Sequence, residues 1–293
     1  MHGEYCCKPM SATENEYQNK IAASSLDDTK QSVREDTKPK PFSPASVLLP
    51  LAVLVCALAV WQLLSVRGVF PESAFPSPKQ SALGFREEVR NGHLYTDLIA
   101  SLFRVALGFG LSVALGIPLG LLMGARLGAR LALLPGLNFF RSLSPLAWIP
   151  FAILWFGIGD TPAIFLIFMA AFFPIALATM AAVADIPKIY FRVARDYDFR
   201  GVELLTKVTL PAIMPQTITT LRVTAGLSWV VVVAAEMIAG RDGLGFLIWD
   251  ARNALRPDLV VVGMAVIGAL GVLIDVLIVQ LKRIPSVRWG YER

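Results

Sequence analysis

Charge is scarce in this chain. Only 17% of its 293 residues are Asp, Glu, Lys or Arg, where a soluble domain carries about 25%. Histidine is scarcer still: His2 and His93 are the only two, too few and too far apart in sequence to build a metal centre. Cysteine offers no framework either. Cys6 and Cys7 are adjacent and Cys56 lies inside an apolar run, so neither a disulfide scaffold nor a CxxC motif is present. No Gly-Lys dipeptide occurs, which excludes a P-loop for nucleoside triphosphates. HExxH and GxSxG are missing too. Common sequence devices for metal catalysis, nucleophilic hydrolysis and phosphate handling are therefore absent.

What is abundant is apolar sequence. Hydrophobic residues make up 55% of the chain and the mean hydropathy is +0.60. They are gathered into runs long enough to cross a bilayer, which takes about 20 helical residues. Residues 45–66 hold no charge; 105–125 extend back through Arg104 to about Leu98; 131–140 and 142–159 flank Arg141. Residues 161–184 form a fourth run, 223–235 continue past Arg222 and Glu236, and 259–274 continue past Asp275 to Leu281. The runs predict an all-α, polytopic membrane protein of six transmembrane helices. Their prolines, Pro118 and Pro145 among them, are tolerated where neighbouring helices re-satisfy the freed carbonyls.

Basic residues orient the spans. With both ends on one side, 17 Lys and Arg fall there and 7 on the other. The richer side is read as cytoplasmic, which places both termini and residues 185–215 inside. The net charge of +5 is then a topology signal, and no nucleic acid is expected as a partner. The reading divides the chain into a polar, disordered cytoplasmic tail (1–44), a first span (45–66), a periplasmic segment (67–96), a core (97–284) and a cytoplasmic end (285–293). The tail lacks the basic start and apolar centre of a cleavable signal peptide.

One stretch breaks the apolar pattern. Residues 192–215, RVARDYDFRGVELLTKVTLPAIMP, alternate Arg192, Arg195, Arg200 and Lys207 with Asp196, Asp198 and Glu203, and contain Leu210-Pro211. An amphipathic helix resting on lipid headgroups would read similarly. The stretch resembles the cytoplasmic coupling loop of ABC importer permeases, whose pattern is EAA, then Gly, then a Leu-Pro end. Here Arg192 stands for Glu, Val193 for the first Ala and Asp198 for Gly, a position where Asp tolerates left-handed φ better than most residues. RSLSPLAWIPFAILWFGIGD (141–160), PAIFLIF (162–168) and AAEMIAGRDGLGFLIWDAR (234–252) resemble the permeases for nitrate, sulfonates, taurine and related small oxyanions.

The resemblance implies the type I ABC importer permease fold in the cell inner membrane. It implies no enzymatic activity and no cofactor in this chain, with ATP and Mg held by two separate ATPase subunits. It further implies a periplasmic or lipid-anchored substrate-binding protein and a second permease copy forming a homodimer, with lipid around them. The coupling residues it suggests are Arg192, Arg195, Tyr197, Asp198, Phe199, Arg200, Leu205 and Pro211. Leu204, Leu205 and Val208 are expected to seat one short helix on the membrane face, and the Tyr197 side to meet the ATPase. Bicarbonate or another small organic solute would suit the same frame. An ion-coupled secondary transporter would need titratable mid-span residues and an internal repeat. A membrane enzyme would need clustered His, Asp or Glu.

Ionisable residues within spans are functional candidates. Arg104 and Arg222 are expected to face an anion pathway, with an internal ion pair as the alternative for each. Glu236 is expected to pair with Arg241 or Arg252. Ser144-Pro145 interrupts a span, and a broken helix exposes backbone donors along transporter pathways. Ser142, Ser144 and Trp148 join the pathway candidates, a packing kink being the alternative. Residues 240–245 form an outer turn that meets a delivering protein or folds back. Finally, Gly108, Ser112, Gly116, Gly120, Gly124 and Gly128 recur every four residues, a smooth stripe for close helix packing within the chain or between subunits.

Overall fold

The computed structural model describes residues 45–67, 71 and 75–280. The expectations for 1–44 and 285–293, including those for His2, Cys6 and Cys7, lie outside the described residues. Among the described residues the structure is helical, with no strand. Two units are distinguished, one ending at Val60 and the other starting at Trp61. Helix α1, Ala45–Val66, is 22 uncharged residues long, about 33 Å at 1.5 Å per residue.

Helix α2, Pro78–Asn91, starts where its sequence says it should. Ser77 and Gln80 form a reciprocal capping box with Pro78 in the first turn, which satisfies otherwise orphaned backbone donors. It stops at Gly92, whose φ of 77° is a left-handed C-cap that glycine adopts without a Cβ clash. Helix α3, His93–Ala125, follows at once.

Helix α4, Leu127–Ser142, leads into a 3₁₀ turn, Pro145–Trp148, and helix α5, Ile149–Phe156. The two arms differ in direction by 86°. Ser144 is extended, with ψ 128°, as a residue before proline prefers. The interruption expected at Ser144-Pro145 is therefore a sharp bend.

Helix α6, Asp160–Ala184, is the central element. Its buried residues include Leu166, Ile167, Ala171, Ile175 and Ala176. Helix α3 packs on it along the small-residue stripe. A Cβ built at Gly108 would lie 2.8 Å from Ile167 Cβ, one at Gly116 3.0 Å from Ile175 Cγ2, and one at Gly120 2.6 Å from Thr179 Cβ. Ser112 donates to Phe168 O at 3.2 Å. The stripe is thus internal packing between α3 and α6, while Gly128 has nothing near it. Ile167 joins Trp229, Val232 and Leu244 in one apolar cluster, and Met123 joins Phe173 and Met180 in another.

Helix α7, Lys188–Asp196, precedes a continuous 38-residue rod, α8, Val202–Ala239, which contains a π-helical turn at Leu205–Thr209. Helix α9, Leu244–Asn253, and helix α10, Pro257–Gln280, complete the described chain. Trp229 ties α8 to α10 by donating to Ile267 O at 3.0 Å. Helices α3, α6, α8 and α10 are each long and apolar enough to cross a membrane, and the bent α4–α5 pair makes a fifth span if counted as one. Leu111 and Leu115 on α3, with Val272 and Val276 on α10, stay exposed, as hydrocarbon permits.

Candidate functional site

The charged stretch between α6 and α8 is an elbow of two pieces, not the single short helix expected from its sequence. Helix α7 ends by a Schellman closure: Phe199 N–H donates to Ala194 O at 2.9 Å and Asp198 N–H to Arg195 O at 3.0 Å. Asp198, the position where the coupling-loop pattern has Gly, sits at φ 60°. The turn needs a left-handed residue there, and Asp supplies it. Leu204, Leu205 and Val208 lie beyond this break, at the start of α8. Pro211 follows the π turn, where its missing N–H breaks the ordinary helical ladder.

Several elbow side chains face outward. Tyr197 is 72% exposed, and its ring stacks on Phe199 with centroids 6.2 Å apart. Lys207 Nζ lies 4.7 Å above the Phe199 ring and pairs with Glu203 at 2.9 Å. Arg192 and Arg195 are exposed, and Arg200 is bonded to Asp198 at 2.7 Å. An apolar groove of about 470 Å³ runs between α7 and α8, lined by Ile189, Val193, Tyr197, Phe199 and Pro211 among others.

At the opposite end of α8 lies a buried polar knot. Arg104, on α3, is 1% exposed and Glu236, on α8, 0%. Arg104 Nη1 donates to Glu236 Oε1 at 2.7 Å and to Asp242 O at 2.8 Å. Its Nε donates to Asp160 Oδ1 at 2.7 Å, and Nη2 is bonded to the Asp242 carboxylate. Ser101 Oγ donates to Glu236 Oε1 at 2.8 Å and accepts from Leu244 N–H at 2.9 Å. Gly245 N–H donates to Glu236 Oε2 and Gly243 N–H to Asp97 Oδ1, both at 2.9 Å. One guanidinium thus faces three carboxylates, and the 240–245 turn folds back onto them. Gly243 takes φ 108° with Arg104 Nη1 only 2.6 Å from any Cβ it might carry, so the close approach requires glycine.

Two expectations are corrected here. Glu236 pairs with Arg104, not with Arg241 or Arg252. Arg104 does not present free positive charge to a cavity, because its charge is more than balanced where it sits. Asp97 and Ser101 were missed as knot residues. The signal was there: positions 97, 101, 104 and 108 follow helical spacing, so the small-residue stripe continues upward as a polar one.

The remaining candidates lie elsewhere. Arg222 bonds Asp275 through Nε at 2.5 Å and Nη2 at 2.7 Å, each residue 44% exposed. Ser142 and Ser144 are exposed at the α4–α5 bend, where Ser142 Oγ donates back to Asn138 O at 2.9 Å. Trp148 is half-buried beside Phe140 and Phe151. Between α2 and the start of α10, Arg256 bonds Glu87 at 2.8 Å and Asp258 at 2.9 Å. The Arg256 guanidinium holds the Glu87 carboxyl below its ordinary range.

Membrane-length helices and a bent span joined by one charged elbow define a multi-pass membrane protein. Residues 116–284 match the family described as binding-protein-dependent transport system inner membrane component, and the chain belongs to that family of ABC importer permeases. It is 37% identical over 246 residues to the bicarbonate transport system permease protein CmpB of Synechococcus elongatus, covering 81% of this chain and 88% of that one. It is 33% identical to the taurine transport system permease protein TauC of Escherichia coli, covering 81% and 88%. The nitrate import permease protein NrtB of a Synechocystis strain is 34% identical, covering 80% and 87%. In fold it is similar to a chain of the MetNI methionine ABC transporter in an inward-facing conformation, at TM-score 0.50 and 20% identity, covering 65% of this chain and 98% of that one. The fold is that of a type I importer permease.

Proposed function

We propose that this chain forms the membrane pathway of an ATP-driven importer for a small oxyanion of the sulfonate, nitrate or bicarbonate class. The observation that carries the reading is the elbow: a folded, charged element with an exposed Tyr197 and an apolar groove, set between two membrane-length helices. Such a surface suits a soluble partner, and the family supplies one as an ATPase. Arg192, Arg195, Tyr197, Asp198, Phe199, Arg200, Leu205 and Pro211 form or hold that contact. Two ATPase subunits carry ATP and Mg on the cytoplasmic side, where both termini also lie. A binding protein delivers the solute from outside. A second copy of the chain completes the pathway.

Along that pathway we place Ser142, Ser144 and Trp148 at the bend, where Ser144-Pro145 opens the backbone ladder, together with the exposed Arg222–Asp275 pair. Half-exposed charges within a span favour a wet cavity over lipid. Arg104 and Glu236 we assign to holding the outer turn and not to the solute. The relatives' substrates support the anion class, being bicarbonate, taurine and nitrate by name.

The test is uptake of labelled taurine, nitrate and bicarbonate into proteoliposomes holding the chain, its ATPase and its binding protein. ATP-dependent accumulation of one of them is expected. Tyr197→Asp or Leu205→Asp should cut uptake more than tenfold while ATP hydrolysis continues. Accumulation driven by a proton gradient without ATP would replace this reading with a secondary transporter.

A further inference from the structure

Helix α2 is held at both ends against membrane spans. At its start, Pro76 O accepts from Trp61 Nε1 at 3.1 Å, and the Phe75 ring meets the Trp61 ring edge-on with centroids 6.5 Å apart. Trp61 lies in the last two turns of α1. At its end, Gly92 alone separates α2 from α3. The exposed apolar line of α3, through Tyr95, Ile99, Phe103, Leu107 and Leu111, repeats every four residues and starts at that corner. The lipid-facing surface therefore reaches the first turn of α3, and Trp and Tyr are the residues that favour the membrane–water interface. A helix tied at both ends to that depth lies along the membrane surface.

The side chains of α2 are sorted around it. Ser81, Gly84 and Glu88 are buried, and a Cβ at Gly84 would lie 2.9 Å from Asp258 Oδ2 on α10. Glu87 is bonded to Arg256. One acid of the helix is thus turned inward and the other is paired. Lys79, Arg86 and Arg90 are exposed, with no ion pair among the described residues. At about 3.6 residues per turn, the three bases share one line opposite the buried one. Phe85 and Val89, 46% and 52% exposed, fall between the two lines on one side, with Gln80 and Glu87 on the other. An apolar strip bordered by a basic one is the pattern of a helix seated among headgroups. In the proposed topology these bases lie outside, where Lys and Arg are ordinarily depleted, so their grouping calls for an anionic partner.

We propose that α2 binds anionic phospholipid. Lys79, Arg86 and Arg90 donate to the headgroup phosphates, and Phe85 and Val89 enter the acyl-chain boundary beneath them. The bases reach that level along their own methylenes. Because Gly84 and Glu87 fasten the helix to the start of α10, bound lipid braces the contact between α2 and α10. The apolar strip beside the bases, continuous with the exposed line of α3, favours lipid over a soluble acidic protein. The site depends neither on the solute carried nor on the ATPase.

The test reads local lipid contact. The full chain, with Cys6, Cys7 and Cys56 replaced by Ser, carries one bimane-labelled cysteine, Val89→Cys or Gln80→Cys. It is placed in phosphatidylcholine nanodiscs doped with brominated phosphatidylglycerol or brominated phosphatidylcholine. Bromine on the acyl chain quenches only labels at that depth. The label at position 89 should be quenched about threefold more by the anionic lipid than by the zwitterionic one, and the label at position 80 by neither. High salt should erase the preference in the parent chain, because it screens surface charge. Lys79→Gln, Arg86→Gln and Arg90→Gln together should do the same with an unchanged melting temperature, all three positions being exposed. Equal quenching by the two lipids in the parent, or a label at 89 quenched no more than one at 80, would overturn the site. A triple variant that keeps the lipid preference would overturn it too, and loss of binding-protein affinity in that variant would assign the face to a protein instead.

Discussion

A guanidinium at membrane depth invites the inference that it meets the cargo. Arg104 meets Glu236, Asp160 and Asp242 instead, and an approaching anion would find net negative charge there. Removing one partner of a buried pair leaves the other uncompensated and costs about 3–5 kcal/mol. Arg104→Gln is therefore expected to lower the melting temperature or prevent assembly before any transport defect can be read. Adding Glu236→Gln should recover part of the loss, since the stranded carboxylate is then neutral. A single variant as stable as the parent would show that the knot holds nothing. Asp198 allows a second prediction. Its left-handed φ of 60° costs an ordinary residue about 1–2 kcal/mol. Asp198→Gly should preserve coupling and raise stability slightly, whereas Asp198→Val should destabilise the elbow by about that amount. Thermal melts and coupled uptake of the two variants, side by side, decide it.

Among the elements, the α3–α6 seam is set by the absence of side chains. Gly120→Val should fail to pack, because even its Cβ would meet Thr179 Cβ at 2.6 Å, and overpacking costs about 1–3 kcal/mol or more. Gly128→Val, with open space around it, should express and assemble normally. Comparing membrane yield and size-exclusion profiles of the pair separates seam glycines from the one past its end. The seam was legible in sequence as a spacing of four. Its upper continuation through Ser101 and Arg104 was not, because polar and small residues share that face and only the small ones were read as a series. The partner of Arg104 was not legible at all: Glu236 lies 132 residues away, and no local pattern carries that pairing. The smoothly alternating charges of the elbow predict one helix. The left-handed residues Asp198, at φ 60°, and Gly201, at φ 54°, mark the break, and the hydrophobic period is blind to φ.

At the scale of the molecule, the apolar runs were legible because the bilayer dictates their length. Which helix becomes the centre was not, since α6 and α10 are about equally apolar in sequence but α6 is far more buried. The bias of basic residues yields a prediction of its own. A cysteine at Asn91, exposed at the end of α2, should react with an impermeant thiol reagent added outside intact cells. One at Lys188 should react only after the membrane is opened. The reverse pattern would invert the whole arrangement. Helix α8 gives that arrangement a mechanical property. It is one rod of 38 residues, about 57 Å long at 1.5 Å per residue, with the elbow at one end and Glu236 near the other. Its irregularities, the π turn at Leu205–Thr209 and Pro215, all lie near the elbow. From there to Ala239 the rod has no joint. If the ATPase docks at the elbow as proposed, a displacement imposed there would be transmitted as a stroke along a stiff shaft, with the play confined to the driven end. The knot, packed at the far end of the same rod, would then receive that motion directly and without a relay of loops.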